Sequence, residues 1–145
     1  LTPQQVVKQW IDRVREKRPE LLGMPICPFA PASVAVVAVD KLEVDVFTLT
    51  SALTIYVENT IVSTPIELEN LCYRLNTLYE EHIFLPDHPS TPNYINGVST
   101  GNNALPLIIA QTKDELLPAR RKLEKTNYYD HWDENYLNEI KSFGD

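Results

Sequence analysis

The side chain with the most chemical promise is the thiol of Cys27, set in Pro25-Ile26-Cys27-Pro28-Phe29. Two prolines fix the backbone around it, and Pro28 removes one neighbouring amide donor. A thiol held this way could act as a nucleophile if a base lies beside it. It also suits a small apolar side chain packed in a proline turn. The base would come from Asp87-His88-Pro89. His88 at a strand end is placed to take a proton or bind a ligand, and Asp87 could orient its ring. The plainer alternative is a loop histidine beside a capping aspartate. Cys27, His88 and Asp87 are the catalytic candidates.

A third group is Asn96-Gly97 with Gly101-Asn102-Asn103. Asn96, Asn102 and Asn103 could offer amides to a polar ligand, and Asn and Gly together also favour left-handed turn positions. His82 and His88 with Glu80 or Glu81 make a conceivable metal set, but this spacing has no diagnostic power and no metal is assigned. The chain has no glycine-rich phosphate loop, C-x-x-C, H-E-x-x-H or G-x-S-x-G. Each absence removes a common enzyme class and leaves the cofactor unspecified.

The elements that must position these residues follow from periodicity. Thr2-Pro3-Gln4-Gln5 opens a helix whose apolar stripe is Val6, Val7, Trp10, Ile11 and Val14. Thr64-Pro65-Ile66-Glu67 repeats that opening, and Leu68, Leu71, Cys72, Leu75 and Leu78 carry the pattern to about Glu81. Both stripes are expected to share one core, with Trp10 against the second helix. Ser33–Val39 reads as a central strand, Glu43–Phe47 as a half-exposed one, and Leu53–Glu58 as a third. Ile83–Leu85 and Leu105–Ala110 are further short strands. Residues 86–104 form a long polar loop, a feature that is usually functional when ordered. Lys113–Lys125 predicts a charged helix, and Tyr128–Phe143 an amphipathic one with Tyr129, Trp132 and Tyr136 on one side.

At 145 residues, with 43% hydrophobic and 23% charged residues, the sequence fits one globular domain over 1–145. The expected class is α+β, with a mixed or antiparallel sheet of about four strands and helices largely on one face. The net charge of −7 argues against nucleic acid and anionic membrane surfaces. Between residues 21 and 112 only Lys41 and Arg74 are basic, against nine acids. The longest apolar run, Val34–Val39, is too short to span a membrane. Two cysteines do not make a disulfide scaffold, and the chain opens on a capped helix pattern, so a cytoplasmic setting is expected.

Trp10 in the first helix and Cys27-Pro28-Phe29-Ala30 resemble a bacterial family of uncharacterised small proteins, a domain of unknown function. His88-Pro89 and Leu105-Pro106-Leu107-Ile108 follow in comparable order. Asn102-Asn103 stands where that pattern has Asn-Arg. The resemblance implies an α+β domain with Cys27 and His88 as its notable residues, and no reaction. Two functional readings result. One is a small protein that binds or modifies a small polar ligand with Cys27 and His88 in the site. The other is a non-catalytic accessory or protein-interaction module docking through its aromatic C-terminal helix; under either reading the partner could be another protein or a second copy in a homo-oligomer.

Overall fold

In the computed structural model of the chain, residues 1–21, 25, 27, 34–49, 53–95, 97–125, 129, 134 and 137–138 are described. Helix α1, Pro3–Val14, starts at a reciprocal cap: the Thr2 hydroxyl accepts the Gln5 amide, and the Gln5 side chain accepts the Thr2 amide. Pro3 costs nothing there, because the first helical amide has no partner anyway. Strand β1 is Ala35–Val39 and β2 is Leu53–Glu58. Helix α2, Pro65–Leu78, repeats the cap with Thr64 and Glu67. Strand β3, His82–Asp87, follows at once. A small hairpin, β4 (Tyr94–Ile95) and β5 (Val98–Ser99), occupies the long polar loop and turns at Gly97, whose φ of +83° suits glycine. Strand β6, Leu107–Thr112, runs directly into helix α3, Lys113–Glu124.

The main sheet has the order β1-β2-β6-β3, with β1 parallel to β2 and the other pairs antiparallel. The fold is α+β with a mixed four-stranded sheet. Alternation along the strands sends Tyr56, Ile108 and Ala110 to one face and Ile55, Val57 and Leu107 to the other. Each face builds its own core. On the first, Leu68, Cys72 and Leu75 of α2 pack with Tyr56, Phe84 and Phe47, and Leu116 and Leu117 of α3 join this cluster. On the second, Val7, Trp10, Ile11 and Val14 of α1 pack on Ile55, Val57 and Leu107.

Three expectations change. Trp10 does not share a core with α2: its stripe is buried as the periodicity requires, but against the opposite face of the sheet. A helical stripe states that a face must be covered, and not by which partner. Strand β1 is apolar on both faces yet ends the sheet among the described residues. Burial on two faces reports the layers above and below a strand, while edge position is decided in the plane by hydrogen bonding. Glu43–Phe47 is no strand: Val44–Val46 form a single 3-10 turn that delivers Phe47 into the core. Five alternating residues are too few to separate the two. The expected helix over Tyr128–Phe143 falls mostly outside the described residues. Among those described, no helix is long and apolar enough to cross a membrane.

Candidate functional site

The chemistry-bearing side chains gather where β2 and β3 end. Glu58, the last residue of β2, points to the α2 face by alternation from Tyr56 and is fully buried. Among the described residues, no cation is paired with it. Its carboxylate accepts the Leu42 amide (2.8 Å) and the Ser63 hydroxyl (2.6 Å) at Oε2, and the Val62 and Ser63 amides (3.1 and 2.9 Å) at Oε1. Four donors replace the water lost on burial. Leu42 and Ser63 lie in two different chain segments, so Glu58 staples them together. The Asn59 side chain reinforces the first segment by donating to Asp40 at 3.0 Å.

Those two segments are opposing walls of a cleft of about 630 Å³. One wall is 41–45, with Lys41, Glu43 and Asp45. The other is Ser63 and the start of α2, with Asn70 and Arg74 one turn apart. Leu42 and Leu71 add apolar lining. Lys41 and Arg74, the two basic residues of the whole 21–112 segment, therefore meet at one place. Among the described residues, no ion pair engages Lys41, Arg74, Glu43 or Asp45. Glu67 is already committed: the Thr64 amide and hydroxyl, and then the charge of Lys41 across the cleft, hold its carboxyl below the usual range.

His88 stands behind this wall. It is buried, and its Nε2 donates to the Ser63 carbonyl at 2.7 Å. Its Nδ1 accepts the Ser90 amide at 3.0 Å. A carbonyl can only accept, so Nε2 carries the proton and both ring nitrogens are committed. No hydrogen bond joins His88 to Cys27 or to Asp87. His88 positions Ser63 and has no lone pair to spare for a thiol. His82 opens β3, six residues before His88, and a strand rising about 3.3 Å per residue places them roughly 20 Å apart. They cannot hold one metal.

Asp87 takes the opposite direction from its neighbour, as strand alternation demands. Its partner across the sheet is Leu107, on the α1 face. The Asn102 amide (2.9 Å) and the Asn102 side-chain Nδ2 both donate to Asp87 Oδ2. Burial pushes its carboxyl above the usual range, while the Asn102 donors and the Arg13 charge pull back. Arg13 donates to the Gly101 carbonyl, and Trp10 Nε1 to the Thr100 carbonyl at 2.9 Å. A side chain at Gly101 would put its Cβ 2.6 Å from Asp87 Oδ1. This is a latch between α1 and the 100–102 loop.

The asparagines hold turns. Asn102 donates to Asp87 and the Leu105 carbonyl, and its oxygen accepts the Ala104 and Leu105 amides. Its hydrogen-bonding capacity is spent within the chain. Asn103 adopts a left-handed φ of 60° and donates to Ser99. Asn96 lies outside the described residues. Cys27 is exposed, with its amide bonded to the Val14 carbonyl at the end of α1. Among the described residues, then, no hydrogen bond links His88 with Cys27 or with Asp87, although the charge of His88 is felt at Asp87. Glu58 and Ser63 carry the arrangement instead. The available signals were an acid closing an apolar strand and a serine just ahead of a helix cap.

The chain matches no family model, no curated protein and no solved structure. The resemblance of Cys27-Pro28-Phe29-Ala30 consequently brings no role to the residues of the cleft.

Proposed function

We propose that the protein binds a small polar ligand in the cleft between residues 41–45 and α2. The observation that carries this reading is the buried Glu58 carboxylate, which bonds Leu42 on one wall and Ser63 on the other. Walls fixed before a ligand arrives lower the ordering cost of binding. The volume of about 630 Å³ lies within the range of small-molecule sites, about 300–1,000 Å³. Binding, not Cys27 chemistry, is favoured because both nitrogens of His88 are engaged. A cytoplasmic setting agrees with two cysteines that do not bridge each other and an acidic chain that has little attraction for polyanions. The accessory reading, in which the aromatic C-terminal helix docks on a protein partner, depends on residues 128–143, mostly outside those described.

The test is a thermal-shift screen of small polar metabolites against the wild type and Asn70→Trp, whose indole would fill the cleft from the exposed face of α2. At least one class of compound should raise the Tm of the wild type and leave the variant unmoved. Equal shifts in both proteins, or none in the wild type, would remove the cleft from consideration.

A further inference from the structure

The charges of the cleft carry the reading one step further, resting on the proposal that the cleft is the binding site. We infer that its ligand is a small zwitterion with a free carboxylate and a free ammonium group: an amino acid or the free-ended backbone of a short peptide. The inference begins with an imbalance. From residue 21 to 112 the chain carries nine acids and two bases, and both bases line this one cleft. A cleft that served only to be solvated would draw mainly on the abundant acids.

Each wall carries both signs, Lys41 with Glu43 and Asp45 on one and Arg74 with Glu67 on the other. Lys41 leads the 41–45 wall, and its charge is felt by Glu67 in the first turn of α2. Arg74 lies two turns along α2 from Glu67, on the same side of the helix. Its guanidinium offers a planar fork matched to a carboxylate. Glu43 and Asp45 line the wall opposite α2. None of these four makes an ion pair with another described residue, although opposite charges line the same opening. A purely anionic ligand would satisfy Lys41 and Arg74 and be repelled by Glu43 and Asp45. A cation would meet the reverse. A ligand carrying both signs answers both sets of charges, while Asn70 can serve a neutral amide between them.

The fixed floor adds selectivity. Ser63 spends its hydroxyl on Glu58 and its carbonyl on His88, so it cannot turn to offer either to the ligand. Recognition therefore falls on the charged rim, and capping either end of the ligand should be costly.

Isothermal titration of the full chain with Ala-Ala, N-acetyl-Ala-Ala and Ala-Ala amide separates the contributions. Ala-Ala should bind at least about tenfold more tightly than either capped form, the expected loss when one charge-assisted contact is removed. Arg74→Ala should bring Ala-Ala down to the level of the amide. The double variant Glu43→Gln, Asp45→Asn should bring it down to the acetylated form. All three substituted side chains are exposed, so circular dichroism should show unchanged folding. Equal affinity for all three compounds would overturn the zwitterion. So would no binding of Ala-Ala while the metabolite screen still finds ligands excluded by Asn70→Trp, a result that keeps the cleft and discards this ligand class.

Discussion

The two faces of the sheet solve the same problem in different ways. Each holds an acid near a strand end, Glu58 fully buried and Asp87 half-buried. On the α2 face, Glu58 accepts four donors from two loop segments and, among the described residues, has no cation paired with it. On the α1 face, Asp87 accepts two donors from the single residue Asn102 and has Arg13 nearby. The first arrangement joins two walls and leaves an open cleft above it. The second fastens one loop to one helix through half-buried polar groups. Donor number and origin, more than burial alone, distinguish a carboxylate that shapes a site from one that closes a contact.

The largest effect should come from the α1 face. Trp10→Ala should lower stability by about 4 kcal/mol in urea unfolding, because it empties a buried indole site and removes the bond to Thr100. A loss under about 1 kcal/mol would mean that the second core does not depend on α1. Glu58→Ala should cost about 3 kcal/mol by leaving three amides and one hydroxyl without their acceptor. It should also abolish binding in the cleft, whereas Trp10→Ala should leave ligand affinity per folded molecule intact. If the two variants affect binding alike, the faces are not separate in function.

Titration sharpens the contrast further. The folded-state carboxyl of Asp87 is raised above its ordinary value of 3.8, chiefly by burial. The folded chain thus holds this proton more tightly than the unfolded chain. The resulting stabilisation is fully present below the unfolded value and is lost as pH rises through the higher folded value. Relative to Asp87→Asn, the wild type should lose stability across a window that begins near 3.8 and extends upward. Unfolding midpoints of both proteins measured at stepped pH would reveal it, and a relative gain over that window would reverse the assignment.

The smallest effect concerns the thiols and is a difference of rate alone. Cys72 is buried in the α2-side core, where burial and then the charge of Glu69 push its thiol up, whereas Cys27 is exposed. Iodoacetamide at neutral pH should label Cys27 and spare Cys72 until the chain unfolds. His88→Ala should leave the Cys27 rate unchanged, since the imidazole is spent on Ser63 and Ser90. A slower Cys27 in that variant would restore a thiol–imidazole pair.

Local rules were legible wherever a single segment suffices to satisfy them. Thr2-Pro3-x-Gln5 and Thr64-Pro65-x-Glu67 dictate both helix starts, because each cap closes within four residues. Leu53–Glu58 declared its strand and the side to which each residue turns. The α+β class and a sheet of four strands followed from the count and order of such segments. The isolation of Lys41 and Arg74 among acids was also visible in the sequence, though nothing showed that they line one cleft.

What tertiary structure alone decided are relations between segments distant along the chain. Sequence neighbours Asp87 and His88 read as a pair, yet pleating sends them to opposite faces, one to Asn102 and the other to Ser63. Glu58 reads only as the end of a strand, and the return of 40–42 and 62–63 over it makes it the buried staple of a cleft. Trp10 had to be covered, but which face would cover it depended on the strand order β1-β2-β6-β3. Periodicity and capping are short-range requirements that each segment meets by itself. Burial of charge and convergence of side chains are settled by partners that hydrogen bonding and packing bring from elsewhere.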